Sequence, residues 1–344
     1  MARNRSVLIA SLASPEEDLR KAKKEWSTRL FGTAAATAFR AVAAISPAPE
    51  DNVVGVGVGE KYAGDQPTGI LGLKFFVVRK YPEGQLTRGE LLPREVEGLP
   101  VDVEEIGLIR RQKAAAPKAA AAVIPNPRVK MRPARPGCSV GFLSPTIKMA
   151  GTFGALVTDG KSLFVLSNNH VLADENRLPL GSPIVQPGAL DGGKKADAIA
   201  SLTRFIPLKA TGNAVDAAIA AAIKRTDVSP EVLHIGKPKG VAPAAIDMVV
   251  QKFGRTTSYT VGRVSSIDTD VKVQYETGVF QFDDQIIIRG LDGRLFSAAG
   301  DSGSLILERG TNLGVGLLFA GSSTHTIANH LGVVLRKLGV KLVL

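Results

Sequence analysis

The spacing of hydrophobic and polar residues changes character along the chain. Residues 15–45 place apolar side chains at helical intervals, and this stretch begins with a proline followed by acidic residues, which suit the start of a helix. Residues 52–108 alternate between strand and turn signals and predict a small α+β unit. From residue 138 to about residue 318, short apolar runs are separated by Gly, Pro, Asn and Asp, which is typical of an all-β sandwich or barrel. The last residues recover helical periodicity and predict a C-terminal helix.

The first apolar run after residue 52, NVVGVGVGEKY, alternates valine with glycine. It resembles a dinucleotide-binding loop only superficially, because it lacks the third glycine at the required offset and a helix directly after it. We therefore interpret it as a strand whose glycine face allows another element to approach closely.

The pattern predicts two folded regions joined by a linker. Residues 109–137 are rich in proline, alanine and basic residues, so we expect an extended linker there. Residues 1–108 then form an N-terminal helix plus a small α+β domain, with a role in regulation or oligomerisation. Residues 138–344 form a second domain, whose length suits two packed β-barrels.

The cysteine count and the lengths of the apolar runs indicate the cellular location of the protein. Cys138 is the single cysteine among 344 residues, so no disulfide can form within the chain. No run approaches the roughly 18 apolar residues of a membrane helix, and the N-terminus is badly flanked for a signal peptide. These features predict a cytoplasmic protein.

The net charge of +11 is concentrated between Glu105 and Asp159, where basic residues occur without any acidic residue. A contact with nucleic acid would suit such a stretch. We favour a solvated, self-repelling linker, because proline and alanine interrupt the charges and no aromatic side chains accompany them. The sequence therefore does not favour nucleic acid as a partner.

The segment AAGDSGSLI contains the strongest chemical signal. Its glycines permit a tight loop in which the hydroxyl of Ser302 lies beside the backbone amides of Gly300 and of Ser302 itself. Two such donors can stabilise a tetrahedral oxyanion, and each contributes about 3–4 kcal/mol in known enzymes. The competing interpretation is an ordinary turn between strands.

Two further segments complete a candidate constellation. His170 lies in LSNNHVL, and Asp216 lies among small and apolar residues in GNAVDAAIA, where a carboxylate needs partners. A serine requires a base to become a nucleophile, and the base requires a third group to hold its tautomer. Asp197 is an alternative third member, although its flanking lysines suggest a surface position.

Taken together, SNNHVL, NAVDAAIA and AAGDSGSLI resemble the trypsin-like (chymotrypsin-fold) serine peptidases, which share the chain order His, Asp, Ser. The surrounding sequence, including AGTFGALV, QPGALDGG and VGLLFAGSSTHTIAN, is similar to that of the plant narrow-leaf trypsin-like proteins and their bacterial relatives. The resemblance implies a mainly β, chymotrypsin-like double antiparallel β-barrel. His170 and Asp216 would come from the first barrel and Ser302 from the second.

The resemblance also implies binding roles. The amides of Gly300 and Ser302 would form the oxyanion hole. Phe296, six positions before the serine, would be the floor of the specificity pocket, which implies a small or apolar residue before the cleaved bond. The strand that pairs with the substrate backbone would be Phe319, Ala320 and Gly321. In secreted members the acid before the serine pairs with a newly formed N-terminus. Asp301 would therefore pair with another group here, be solvated, or hold the loop in an inactive form.

The leading hypothesis is a serine endopeptidase that acts on protein or peptide substrates through an acyl-enzyme. The alternative is a latent or inactive scaffold that keeps the protease fold. The remaining histidines show no metal-ligand spacing, and we expect neither a metal nor a cofactor. The family resemblance makes a homo-oligomer an expectation.

Overall fold

The computed structural model describes residues 15–32, 52–64, 66–111, 125–291 and 293–344. The α-helices of these residues are α1 (Pro15–Phe31), α2 (Asn169–Leu172) and α3 (Leu331–Leu338). The β-strands, in chain order, are β1 (Val53–Ala63), β2 (Gln66–Val77), β3 (Glu95–Val96), β4 (Leu99–Glu105), β5 (Arg110–Arg111), β6 (Ser139–Phe142), β7 (Gly151–Thr152), β8 (Ala155–Thr158), β9 (Leu163–Ser167), β10 (Pro183–Val185), β11 (Ala198–Phe205), β12 (Ala218–Ala222), β13 (Val249–Gly254), β14 (Ser258–Gln274), β15 (Val279–Gly290), β16 (Leu305–Glu308), β17 (Gly314–Gly321), β18 (His325–His330) and β19 (Lys341–Leu342). None of the described helices has the length and apolar character that crossing a membrane requires.

The first sheet runs in the order β19-β8-β9-β12-β11-β10-β6-β7. Strand β7, at one end of this order, continues along the chain directly into β8, which lies next to the strand at the other end. There Phe153 donates to the carbonyl of Cys138 before β6, while Gly154 donates to the carbonyl of Leu166 on β9. The sheet thus curves into a barrel around a core of small and branched apolar side chains.

The second sheet contains a closed ring of antiparallel strands, in which each of β13, β16, β17, β18, β15 and β14 pairs with the next and β14 pairs again with β13. Closure removes the free edges of these strands along the residues that are paired within the ring. The predicted C-terminal helix is α3, which packs Leu331, Val334, Leu335 and Leu338 against the first barrel's core. The mainly β, chymotrypsin-like double-barrel architecture with a C-terminal helix is therefore confirmed.

Strands from the N-terminal region extend the second sheet. The long strand β14 closes the ring with its first half and pairs with β1 through its second half, and β2, β4 and β3 follow β1 outward. The glycine face of β1 permits the close approach that the sequence predicts, because a Cβ on Gly57 would lie 2.2 Å from Thr269 Oγ1. The division of the chain into domains at residues 109–137 stays a prediction.

Helix α1 covers the other face of β1 and β2. Leu19 and Phe31 join the apolar cluster of Val56, Val58 and Phe75, and Trp26 packs edge-on against Phe75 at 5.1 Å between ring centroids. The remainder of the predicted helix, residues 33–45, lies outside the described residues.

The predicted linker is only partly described, since residues 112–124 lie outside the described ranges. Two of its basic side chains, Lys130 and Arg132, contact the first barrel. Lys130 pairs with Asp197 at 2.7 Å, and Arg132 donates to the side chain of Gln186 at 2.6 Å. These charges are therefore partly satisfied by the protein itself.

Candidate active site

His170 lies at the junction where β9 passes into the short helix α2, and the asparagine pair before it fixes that junction. The Asn168 amide donates to the backbone carbonyl of Asp216 at 2.8 Å, and the Asn169 amide donates to the carbonyl of Ile206 at 2.9 Å. These two hydrogen bonds therefore hold the His170 segment against the segments that contain Asp216 and Ile206.

Asp216 lies just before β12, with its carboxylate fully buried against the histidine. His170 Nδ1 is 2.5 Å from Asp216 Oδ2, and the His170 backbone amide donates to Oδ1 at 3.3 Å. The Asp216 amide in turn donates to Asn329 Oδ1 at 3.0 Å. These contacts fix which ring nitrogen of the histidine faces the acid and leave Nε2 directed elsewhere.

Tyr275, at the end of β14, is a third partner of this acid that sequence reasoning missed. Its hydroxyl donates to Asp216 Oδ2 at 2.7 Å, and its ring lies edge-on to His170 at 5.8 Å. Burial, followed by the negative charge of Asp216, raises the pKa of Tyr275 well above its ordinary value. The phenol therefore remains a donor to the carboxylate. Nothing local in the sequence marks this tyrosine.

The serine loop lies between β15 and β16 and depends on two glycines in left-handed conformations. Gly300 has φ +101° and Gly303 has φ +93°. A Cβ on Gly303 would lie 2.1 Å from Ser167 Oγ and 2.4 Å from the Thr152 carbonyl oxygen, so no larger residue fits there. The loop is thereby packed onto strands of the first barrel.

Two carbonyl oxygens of this loop accept hydrogen bonds, which fix the orientation of their peptide groups. Thr256 Oγ1 donates to the Ala299 carbonyl at 2.8 Å, and Ser304 Oγ donates to the Asp301 carbonyl at 2.6 Å. In a trans peptide the N–H points opposite to the C=O. The amides of Gly300 and Ser302 are therefore directed away from these hydroxyl groups.

Asp301 is fully buried and has a lysine as its cationic partner. Lys252 Nζ on β13 lies 3.5 Å from Asp301 Oδ2, and both side chains are fully inaccessible to solvent. The carboxylate also accepts the amides of Thr256 at 2.8 Å and Thr257 at 3.1 Å and the Thr257 hydroxyl at 2.6 Å. Burial lowers the pKa of Lys252, and the charge of Asp301 opposes that shift. The cationic partner of Asp301 among the described residues is therefore an internal lysine.

The structure brings the histidine and serine segments together through Gly151. A Cβ on Gly151 would lie 2.6 Å from Val171 Cγ2 and 3.1 Å from the Ser302 carbonyl oxygen. The Ser302 hydroxyl donates to the Phe319 carbonyl at 3.2 Å. Among the described residues His170 Nε2 is buried without a hydrogen-bond partner. Catalytic hydrogen bonds are often long or misaligned in enzymes without substrate, so this geometry does not oppose a serine–histidine pair.

The residues expected to bind substrate occupy two environments. The side chain of Phe296 lies in the apolar cluster that includes Leu318 of β17. The side chain of Phe319 lies on the opposite face of β17, in a second cluster with Phe76 and Phe282. The backbones of Ala320 and Gly321 lie at a sheet edge, where they pair with β5. A cavity of about 630 Å³ lies beside this edge and is lined by Val78, Leu108, Arg110, Arg111, Leu295, Ser297, Ala298, Ala299, Gly321, Ser322 and Ser323. The Phe296 ring does not line this cavity, and its role as pocket floor stays a prediction.

The alternative acid lies elsewhere. Asp197 is paired with Lys130 at the protein surface and caps its own turn through the Lys194 amide at 3.0 Å. Of the two candidate acids, Asp216 is the one that contacts His170. Within the described residues no group of His, Cys, Asp and Glu has an arrangement able to hold a metal ion.

The similarity of this chain to known proteins is a similarity of the backbone fold. No family model matches the chain, and no curated protein matches it. Among solved structures, Thermobifida fusca Protease A has a TM-score of 0.43 and 16% identity, covering 60% of this chain and 97% of its own. Nocardiopsis Protease gives the same four values. A glutamic acid specific serine protease has a TM-score of 0.42 and 17% identity, covering 61% and 100%. At this identity the similarity concerns the fold alone.

Proposed function

We propose that the protein is a serine endopeptidase that hydrolyses peptide bonds through an acyl-enzyme, with Ser302 as nucleophile, His170 as general base and Asp216 as the orienting acid. The observation that carries the proposal is the fully buried His170–Asp216 pair, whose second ring nitrogen has no hydrogen-bond partner among the described residues and whose segment packs beside the Ser302 loop. A buried imidazole with one nitrogen on a carboxylate is suited to accept a proton at the other.

The proposed reaction follows from these contacts. His170 Nε2 accepts the Ser302 hydroxyl proton as Oγ attacks the substrate carbonyl, and the amides of Gly300 and Ser302 stabilise the resulting oxyanion. His170 then donates that proton to the leaving amine, which breaks the peptide bond and leaves an ester on Ser302. Water, activated by His170, hydrolyses the ester in the second half of the reaction. Asp216 holds the imidazole in one tautomer and stabilises the imidazolium.

The Lys252–Asp301 pair supports a loop that needs no proteolytic activation. Because the cation comes from β13, the oxyanion loop is held in the intact chain. The apolar side chain of Phe296, six positions before Ser302, supports a preference for a small or apolar residue before the cleaved bond. The narrower relation to the plant narrow-leaf proteins, the cytoplasmic location and the homo-oligomer belong to the same proposal.

Cleavage-site profiling tests the proposed function. The purified chain is incubated with a peptide library, and the new termini are identified by mass spectrometry. We expect cleavage by the wild type and none by Ser302→Ala. The matched control, Ser162→Ala, changes an exposed serine in a surface turn and should cleave as the wild type does. Equal cleavage by Ser302→Ala and the wild type would contradict the proposal.

A latent or inactive scaffold is the second candidate function. It is favoured by the full burial of His170, Asp216 and Ser302 and by the hydrogen bond that the Ser302 hydroxyl donates to the Phe319 carbonyl. Absence of both peptide cleavage and covalent labelling, in a chain shown to be folded, would support an inactive scaffold over an enzyme.

A further inference from the structure

The sheet edge next to the serine loop is occupied by the chain's own segment. Strand β16 pairs with β17 only as far as Leu317, so Ala320 and Gly321 lie beyond its reach. Their pairing with β18 uses one edge, and β5 pairs antiparallel along β17 at the same two residues, with Arg111 opposite Ala320 and Arg110 opposite Gly321. An extended peptide substrate binds such an edge by adding a strand to it.

This short strand lies close to the nucleophile. The Ser302 hydroxyl donates to the carbonyl of Phe319, which is the residue directly before Ala320 in β17. On its other side the segment is held by β14, where the Gln274 amide donates to the Ile109 carbonyl at 2.9 Å. Residues 109–111 therefore lie in a groove between the edge of β17 and the end of β14.

The Arg111 side chain is bound by two carboxylates. Arg111 Nε lies 2.8 Å from Glu175 Oε1, and Arg111 Nη2 lies 2.6 Å from Glu276 Oε1. The Arg111 side chain is 5% exposed and that of Glu175 is fully buried, whereas Arg110 on the same strand is exposed. The guanidinium therefore occupies a built site, and only one of the two adjacent arginines enters it.

The two carboxylates are attached to the elements that carry the catalytic groups. Glu175 follows the helix of His170 closely in the chain, and Glu276 directly follows Tyr275, whose hydroxyl binds Asp216. Glu175 is fixed in place by the backbone amide and the hydroxyl of Thr277, at 3.0 and 2.6 Å. Glu276 is 35% exposed and also pairs with Arg177 Nη2 at 3.3 Å, whereas Glu175 is fully buried. Because a buried carboxylate without a cation is unstable, Glu175 requires a cation, and the two carboxylates together suit the planar fork of an arginine.

We propose that Glu175 and Glu276 form a substrate subsite for an arginine side chain on the N-terminal side of the cleaved bond, and that residues 109–111 occupy this subsite and the β17 edge as an internal competitor. The proposal rests on the proposed peptidase function and adds its substrate class and its control. Release of the segment would open the edge to a peptide that carries arginine at the matching position.

The first experiment measures occupancy by the rate at which a fluorophosphonate probe labels the full-length chain. We expect Arg111→Ala to label at least about tenfold faster than the wild type, because loss of one partner of a buried ion pair accelerates dissociation of the attached segment. Arg110→Ala is the matched control on the same strand and should change the rate by less than about twofold, as exposed charges contribute little.

Equal, Ser302-dependent labelling of the wild type and Arg111→Ala would overturn this inference and leave the peptidase proposal standing. If no folded variant labels or cleaves peptides, the peptidase proposal fails and the inference fails with it. Should Arg111→Ala not fold, as judged by its thermal midpoint, Glu276→Gln tests the same contact from the other side. It should label severalfold faster than the wild type, and an unchanged rate would overturn the inference.

The second experiment tests the subsite with Arg111→Ala and a peptide library. Arginine should be enriched at one position N-terminal to the cleaved bond. The enrichment should fall at least about fivefold in Arg111→Ala combined with Glu276→Gln, because one of the two charges on the guanidinium is lost. Cleavage without any arginine preference, or with a preference that survives Glu276→Gln unchanged, would overturn the arginine subsite.

Discussion

The two halves of the candidate site each contain a fully buried aspartate, and the two acids differ in the partners that neutralise them. In the first barrel, Asp216 is surrounded by neutral donors and by a histidine, whose charge can change. At the second barrel's loop, Asp301 faces the lysine Lys252 and two threonines. Under the proposed function the difference corresponds to two tasks: Asp216 would stabilise a charge that appears during the reaction, whereas Asp301 would fix a loop at all times.

The largest expected effect comes from removing the charge at Asp216. Asp216→Asn should lower kcat by about 10⁴-fold with little change in fold, because the amide favours the wrong histidine tautomer. Asp197→Asn is the matched control, since that acid pairs with Lys130 away from His170. Steady-state hydrolysis of a cleaved peptide measures both variants. If Asp197→Asn were the damaging change, the assignment of the two acids would be reversed.

Removing the cation from Asp301 should have the next largest effect. Lys252→Met leaves a fully buried carboxylate without its cation and should lower the free energy of unfolding by about 3–5 kcal/mol. The loosened loop should lower kcat by about 100-fold, which is typical when an oxyanion donor is misplaced. Denaturant unfolding and peptide hydrolysis measure these effects, and exposed Lys161→Met serves as control.

A double variant sharpens this test. Lys252→Met combined with Asp301→Asn removes both charges, and it should recover more than half of the stability lost in Lys252→Met, because a neutral buried pair avoids the cost of an unpaired charge. A double variant as unstable as the sum of the two single variants would show that the ion pair itself is not the source of the effect.

Removing the Tyr275 hydroxyl, which donates to Asp216 in the first barrel, should have a smaller effect on kcat. Tyr275→Phe removes one donor from Asp216 but leaves both histidine contacts, so kcat should fall about tenfold, equivalent to roughly 1.4 kcal/mol. Tyr259→Phe removes a partly buried, neutral hydrogen bond, to Gln251 at 3.0 Å, away from the site. We expect both variants to lose stability, Tyr275→Phe the more because its partner is a buried carboxylate, and we expect a loss of rate in Tyr275→Phe alone. Equal rates would make Tyr275 a purely structural residue.

The last prediction concerns no change in activity but the rate at which Cys138 is chemically modified, which reports on how tightly the first barrel is packed. Burial raises the pKa of its thiol to about 12, so little thiolate exists at pH 8. Iodoacetamide at pH 8 should modify the folded chain at least about 100-fold more slowly than the unfolded chain. In Lys252→Met the thiol should stay protected if the damage is confined to the second barrel's loop. Rapid modification would show that both barrels loosen together.

The sequence predicts the parts of this site that lie in contiguous segments. The glycines around Ser302 and the asparagines before His170 mark tight junctions, and their order along the chain indicates the double barrel. Asp216 is distinguishable from Asp197 by its apolar neighbours. The structure places His170 and Asp216 in contact, and such positions can be found because a buried polar residue within an apolar run, or a glycine needed at positive φ, leaves a local trace.

The remaining site residues leave no such trace. Tyr275, Lys252 and Glu276 reach the site from strands or turns distant in the chain, and in the sequence each resembles an ordinary strand or turn residue. The stretch from residue 109 has the composition of a linker, yet Arg111 is buried by carboxylates from two other segments. Composition describes the average of a stretch, whereas this contact depends on one side chain and on tertiary pairing.

The most direct test of the central claim is to locate the covalent adduct of a fluorophosphonate probe. The intact chain is labelled to completion, digested, and analysed by mass spectrometry, with Ser302→Ala and His170→Ala treated in parallel. The account predicts one adduct, on Ser302, that is absent in Ser302→Ala and slowed by at least about 1000-fold in His170→Ala, because the serine then lacks its base. An adduct on another residue, or labelling of His170→Ala at the wild-type rate, would contradict it.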